Sequence, residues 1–136
     1  MKSLAFAIAT LCIPMLAEAQ SPTPALDKPR SVAETLQHSQ FLSGHRILVQ
    51  AFLRIRLEDD TLCDDTKSHG KSCIWFTFDS GTLNSEADLR RYRAQKAYWL
   101  QFSGQRITVR GKFYAGSGGH LGTSAGELWE PELVAK

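Results

Sequence analysis

Two stretches of the sequence share one pattern, and their likeness decides the fold. Residues 43–52 read SGHRILVQAF and residues 103–112 read SGQRITVRGK, so Ser-Gly-x-Arg-Ile-x-Val occurs twice. A duplication would repeat whole supersecondary units. Here a hairpin and a helix follow the first copy, whereas a loop and one strand follow the second. We therefore expect two separate strands that begin alike, each with a glycine where the chain turns sharply into a sheet.

Both copies continue with the alternation of a strand that has one buried face. In the first, every odd position from Ile47 to Leu57 is apolar, and in the second Ile107, Val109, Gly111 and Phe113 share one parity. Residues 61–63, 72–78 and 127–134 predict three more strands. Pro131 requires an edge position or a β-bulge in the last of them. Residues 115–122 (AGSGGHLG) predict a loop.

Two serine-acid pairs predict the starts of helices. Ser31 with Glu34, and Ser85 with Asp88, have the spacing of a capping box. The first predicts a short helix to about residue 37, and the second a longer one to about residue 102. The apolar face of the longer helix is predicted to comprise Leu89, Tyr92, Trp99 and Leu100.

The first residues predict export. Lys2 precedes an apolar run over residues 4–16, and Ala17-Glu18-Ala19 offers a small-x-small cleavage site, which is typical of a signal peptide over residues 1–19. Residues 20–30 (QSPTPALDKPR) predict a flexible leader, and residues 31–136 a single domain. No later stretch is apolar enough to predict a transmembrane segment. We expect a periplasmic or secreted protein.

The two cysteines that follow the predicted cleavage site are expected to form a disulfide. Cys63 and Cys73 are close in sequence, and an exported protein usually oxidises such a pair. The alternative is a metal site that includes His69. Three ligands from one short loop make a poor structural zinc site, so we expect no metal and no cofactor.

The predicted order is three strands, a helix and two strands. It indicates a mainly β domain, a five-stranded OB-fold-like Greek-key barrel with a helix between strands 3 and 4 and a short N-terminal helix. In that fold the first and fourth strands are neighbours. Over residues 40–134 the chain resembles small exported bacterial OB-fold proteins of largely unassigned function, through a glycine followed by alternating aliphatics and a second glycine at Gly111. Ala51 departs from this pattern in the first copy. The resemblance implies ligand binding and no catalytic residues.

The outward positions of the first and fourth strands collect basic side chains. Beside them Trp75 is expected on the outer face of the third strand, where it would stack on a base or a sugar. The alternative is that the charges only solvate the surface while Trp75 packs structurally. The candidate ligand-binding residues are Trp75, Arg54, Arg56, Arg106, Arg110, Lys112 and His120, with Arg46 in the same basic stripe.

No spacing of nucleophile, base or metal ligands predicts catalysis, so we expect a protein that is not an enzyme. Three functions remain open. The first is a binding module for a protein or another envelope component. The second is an oligosaccharide- or nucleic-acid-binding protein that uses the basic stripe. The third is an inhibitor or immunity protein that acts through the acidic loop around Asp64 and Asp65.

Overall fold

The computed structural model describes residues 25–136, so the predicted signal peptide and the first part of the predicted leader lie outside the described residues. The described chain is mainly β. Two short 3-10 helices, Gly70–Ser72 and His120–Gly122, accompany the larger elements. These are α1 (Val32–Gln37), α2 (Ser39–Leu42), β1 (Arg46–Arg54), β2 (Thr61–Cys63), β3 (Cys73–Thr77), α3 (Glu86–Leu100), β4 (Arg106–Gly118) and β5 (Ser124–Ala135).

The five strands form one sheet in the order β1-β2-β3-β5-β4, and β4 pairs back onto β1. All pairs are antiparallel except β3 with β5. The predicted adjacency of the first and fourth strands is confirmed, because Arg46 lies opposite Lys112 and Phe52 opposite Arg106. The Cys63–Cys73 disulfide is also confirmed, and it joins directly opposed residues of β2 and β3.

The repeated phrase occupies equivalent places at the two ends of the β1–β4 pair. Gly44 and Gly104 both have φ +83°, a left-handed conformation that glycine adopts without strain. The Gly44 N–H donates to Phe113 O at 2.7 Å, and the Gly104 N–H donates to Leu53 O at 2.7 Å. A local two-fold relation through the Val49–Val109 pair therefore maps one strand start onto the other.

The serines of the two phrases repeat this relation with their side chains. Ser43 Oγ accepts the N–H of Ala115 at 3.0 Å, and Ser103 Oγ accepts the N–H of Ile55 at 3.0 Å. Ser43 thus binds β4 beyond Lys112, the last residue of β4 that pairs with β1. Ser103 binds the chain just after β1 ends at Arg54. The repetition in sequence follows from this repeated geometry.

Both predicted capping boxes are present. The Ser31 and Ser85 side chains accept from the backbone three residues on, and Glu34 and Asp88 accept in return. Only Trp99 of α3 is fully buried, and Leu100, predicted on the apolar face, is 53% exposed. Leu100 follows Trp99 by about 100° around the helix, which turns it from the sheet to solvent.

Two strand predictions differ from the structure at their ends. Leu57, predicted at the buried end of the first strand, is 87% exposed because β1 stops at Arg54 and the chain turns at Glu58. The predicted loop over 115–122 is shorter, since β4 runs to Gly118. Pro131 lies at a bulge, as required: Arg110 is opposite Glu132 and Lys112 opposite Trp129, so β5 holds one extra residue there.

The N-terminal segment is fastened to the sheet. Arg30, the last residue of the predicted flexible leader, is 6% exposed and bridges β1, donating its N–H to Leu48 O at 3.1 Å. Asp64 holds α1 in place, because its carboxylate accepts the N–H groups of Val32 and Ala33 at 2.6 and 2.8 Å. Arg30, just before the predicted domain boundary, therefore packs against the sheet.

We expect Gly44→Ala and Gly104→Ala to lower the free energy of unfolding by similar amounts, about 1–2 kcal/mol each, because a Cβ is strained at this φ although both positions are otherwise open. Urea unfolding of each variant measures this. Asparagine tolerates the left-handed region better, so Gly44→Asn is the matched control and should lose less. Unequal losses at the two glycines would contradict the local two-fold relation.

Candidate functional site

Trp75 lies on the outer face of β3 and is half-buried. Gly119, where the β4–β5 loop begins, sits so close to the indole ring that no Cβ would fit. One face of the ring is therefore covered by the chain itself. The packing considered for Trp75 from the sequence was against the Cys63–Cys73 disulfide or the N-terminal helix, whereas the contact observed here is with Gly119 of the β4–β5 loop.

The β4–β5 loop is fixed by polar contacts from neighbouring elements. Lys71 Nζ donates to Ser117 Oγ at 3.0 Å, to Gly122 O at 2.7 Å and to Ser124 O at 2.9 Å. The Gly119 N–H donates to Glu127 Oε1 at 3.0 Å. This loop is thus held at both ends and supported from below by Trp75.

The β1–β2 and β4–β5 loops meet and expose one leucine each. Leu57 is 87% exposed and Leu121 is 88% exposed. Glu58 and Leu121 both have φ +56°, a conformation that is uncommon for residues other than glycine. His120 Nε2 lies 3.9 Å from Glu58 Oε2, which brings the two loops together. We call this surface, formed by Leu57, Glu58, His120 and Leu121, the loop tip.

The predicted basic stripe is interrupted by acidic and polar partners. Arg106, Arg110 and Lys112 lie on the outer face of β4 beside β1, as predicted. Arg110 Nη1 lies 3.9 Å from Glu132 Oε2, and Arg106 donates to Gln50 Oε1 at 3.4 Å. The sequence pattern did not predict that acidic side chains lie beside the basic ones, because Glu132 of β5 comes next to Arg110 of β4 only when the two strands pair.

Arg54 does not belong to the exposed stripe. Its residue is 8% exposed, and Nη2 donates to the backbone carbonyls of Thr66 and Ser68 at 3.2 and 3.0 Å. Nη1 lies 3.4 Å from Asp59 Oδ2. The loop between β2 and β3 folds back over the end of β1 and encloses the guanidinium, so the contacts that Arg54 makes are structural, and the ligand contact at Arg54 stays a prediction.

Arg56 remains at the surface, beside a small cleft of about 150 Å³. The cleft lies between the end of β1, the β2–β3 loop and the turn at Gly104. Its lining includes two arginines, one aspartate and one phenylalanine. The lining residues are Phe52, Leu53, Arg54, Arg56, Asp65, Thr66, Ser103 and Gly104.

The acidic loop uses its carboxylates internally. Asp64 binds the start of α1, and Asp65 accepts the N–H groups of Lys67 and Ser68 at 2.7 Å each. The backbone hydrogen bond from Lys67 is the main reason that the pKa of Asp65 lies below its usual value. These two carboxylates are therefore committed to shaping the loop and α1.

A pair of aromatic side chains on the outer sheet face was missed by the sequence analysis. The rings of Tyr114 on β4 and Trp129 on β5 lie 5.8 Å apart with an interplanar angle of 73°. Lys112 Nζ lies 5.4 Å from the Tyr114 ring centre. Their proximity depends on the register set by the bulge at Pro131, for which a single strand pattern gives no signal.

Within residues 25–136 no group of three or more His, Cys, Asp or Glu residues is arranged to hold a metal ion. Over the same residues no helix is long and apolar enough to cross a membrane. A comparison with known protein families, curated proteins and solved structures finds no match.

We expect Arg54→Ala to lower the free energy of unfolding by about 2–3 kcal/mol, because a charged donor to two loop carbonyls is lost. Arg56→Ala is the matched control and should change stability by less than about 0.5 kcal/mol, as is usual for an exposed side chain. Urea unfolding at neutral pH compares them. Equal effects of the two substitutions would contradict the structural role of Arg54.

The stability of the protein depends on pH through the partly buried carboxyl of Asp60. Burial raises the pKa of the Asp60 carboxyl above 3.8, although the charge of Lys96 opposes the shift. Because the folded state holds this proton more tightly, the contribution of Asp60 to stability is full below that pH and is lost as pH rises through the folded pKa.

We therefore expect Asp60→Asn to become more stable relative to the unsubstituted protein as pH rises from 3 to 7, since asparagine keeps the acceptor for the Arg56 N–H without a buried charge. Urea unfolding of both proteins across this range gives the difference directly. Asp65→Asn is the control of opposite sign, because the pKa of Asp65 is lowered in the folded state. A difference for Asp60→Asn that stays constant with pH would contradict the assignment.

Proposed function

We propose that the sheet is an OB-fold barrel. The closed strand order, the α3 segment between β3 and β4, and the pairing of β1 with β4 support this assignment. In such barrels the loops after the first and fourth strands often contact the ligand. Here these two loops form the loop tip, which corresponds to that ligand-contacting region.

We further propose that the chain is a non-catalytic binding module, exported to the periplasm or beyond, that holds a protein of the cell envelope through the loop tip. The signal-like N-terminal sequence and the Cys63–Cys73 disulfide support export. The observation that carries the binding proposal is the exposure of Leu57 and Leu121 on two loops that contact each other.

The arrangement suits a protein partner with an apolar pocket. The exposed Leu121 lies in a loop that Lys71 and Glu127 hold in place, so little entropy is lost when it enters a pocket. Binding energy in interfaces concentrates in such apolar anchors, surrounded by a polar rim. Glu58 and His120 would supply that rim.

The other functions considered from the sequence have weaker support. Glu132 beside Arg110 reduces the attraction of the basic face for a nucleic-acid backbone. An inhibitor acting through Asp64 and Asp65 would have to use carboxylates that already bind backbone N–H groups of the same chain. Reversing the charge of Asp64 and Asp65 would disturb α1 and the loop, so a loss of inhibition would not report on partner contact alone.

Photo-crosslinking in cells that naturally produce the protein tests the proposal. A benzoylphenylalanine at position 57 or at position 121 should give an adduct of one shared mass. Each adduct should weaken when the other leucine is changed to serine, because both anchors enter the same partner. Position 100 is the matched control, since Leu100 is an exposed leucine on α3.

Adducts at 57 and 121 of different masses, adducts equally strong at 100, or no adduct at the loop tip would each contradict this function. Urea unfolding of Leu57→Ser and Leu121→Ser should show stability close to that of the unsubstituted protein, because both side chains are almost fully exposed. A loss of adduct therefore reports binding and not unfolding.

A further inference from the structure

A second surface, distinct from the loop tip, lies on the outer face of β3, β5 and β4. Two cross-strand rows define it. Trp75, Glu127 and Tyr114 form the row nearer the β4–β5 loop, and Thr77, Trp129, Lys112 and Arg46 form the next. We call the part formed by Tyr114, Trp129, Lys112, Glu130 and Arg46 the aromatic corner.

The aromatic rings of this corner are fixed and partly open. Tyr114 is 38% exposed, and its ring stands nearly perpendicular to that of Trp129. Trp129 Nε1 donates to Glu127 Oε2 at 2.5 Å, and the other oxygen of Glu127 accepts the Gly119 N–H. Glu127 therefore orients the indole. Two nearly perpendicular rings form a corner that receives a flat apolar face on one ring and an edge on the other.

The backbone next to the corner is unusual. Glu130 has φ +50° and is followed by Pro131 at the bulge in β5. Bulges redirect side chains, and non-glycine residues in left-handed backbone store strain that tends to occur at functional sites. At this place the bulge brings Glu130 within 3.6 Å of Arg46.

The charges around the corner define the chemistry of a ligand. Three basic residues, Arg46, Arg110 and Lys112, are balanced by three acidic ones, Glu127, Glu130 and Glu132. A polyanion or a polycation would meet as many like charges as opposite ones. A neutral ligand rich in hydroxyl groups can accept from the cations and donate to the carboxylates, and sugar rings also offer apolar C–H faces.

We propose that the aromatic corner is a binding subsite for a neutral saccharide, with the face of a pyranose ring stacked on Trp129, its edge against Tyr114, and its hydroxyl groups bonded to Lys112 and Glu130. Lys112 has no carboxylate within 4.0 Å among residues 25–136, so its ammonium is available to a hydroxyl. This subsite does not depend on the loop tip, and either proposal can fail without the other.

The three tryptophans of the chain allow a direct test by NMR. Their indole N–H signals report the core at Trp99, the loop support at Trp75 and the corner at Trp129. Cellohexaose, chitohexaose, maltohexaose and laminarihexaose are titrated to millimolar concentration, and dodecathymidylate serves as the nucleic-acid probe.

We expect at least one hexasaccharide to shift the Trp129 signal saturably while the Trp99 signal stays in place. Tyr114→Ala should lower the binding affinity for that saccharide by about tenfold, a loss of about 1.4 kcal/mol in binding free energy. Leu121→Ser should leave its affinity unchanged. Lys112→Ala, which removes a half-buried side chain on the outer face of β4, provides a second variant if Tyr114→Ala does not fold.

The proposal is overturned if none of the four saccharides moves the Trp129 signal, or if dodecathymidylate alone moves it. A shift that both Tyr114→Ala and Lys112→Ala leave unchanged, although both variants are folded, would also overturn it. The aromatic pair would then serve only to stabilise the cross-strand contact between β4 and β5.

Discussion

The antiparallel pairing of β1 with β4 is the constraint on which the rest of this structure depends. It buries Val49 opposite Val109 at its centre, and the same Ser-Gly phrase precedes each of its two strands. Because Ser43 and Ser103 each bind backbone of the neighbouring strand, the ends of both strands are fixed together. One of the two loops of the loop tip follows β1 and the other follows β4.

Strained backbone coincides with the two proposed binding surfaces. Among residues 25–136 the non-glycine residues with positive φ are Glu58, Leu121 and Glu130. Two lie at the loop tip and one lies at the aromatic corner. Such conformations persist only where the surrounding structure holds them, and they tend to occur at functional positions. Ile74, Phe76 and Leu128, by contrast, belong to the apolar core and do not have positive φ.

Local sequence patterns predicted the elements that depend on local chemistry. The capping boxes at Ser31 and Ser85 followed from spacing, the Cys63–Cys73 disulfide from predicted export and the closeness of the two cysteines, and the adjacency of the repeated strands from the OB-fold that the element order indicated. The positions of Arg54 and Leu57 were not predicted, because Arg54 is enclosed by a loop from later in the chain and Leu57 lies past the end of β1, where the chain turns at Glu58. The aromatic corner joins Tyr114 to Trp129 only through the register at the Pro131 bulge, which alternation along a single strand does not contain.

Native-state hydrogen exchange tests the central role of the β1–β4 pair most directly. If this pair holds the domain together, the amides at its centre, at Val49 and Val109, exchange only when the whole domain unfolds, with the free energy that urea unfolding gives. The amides of residues 57–59, in the exposed β1–β2 loop, should exchange through local opening at much lower free energy. Exchange at Val49 and Val109 that is faster than at Ile74 or Phe76 of β3 would show that the sheet opens first at β1–β4, and would contradict this account.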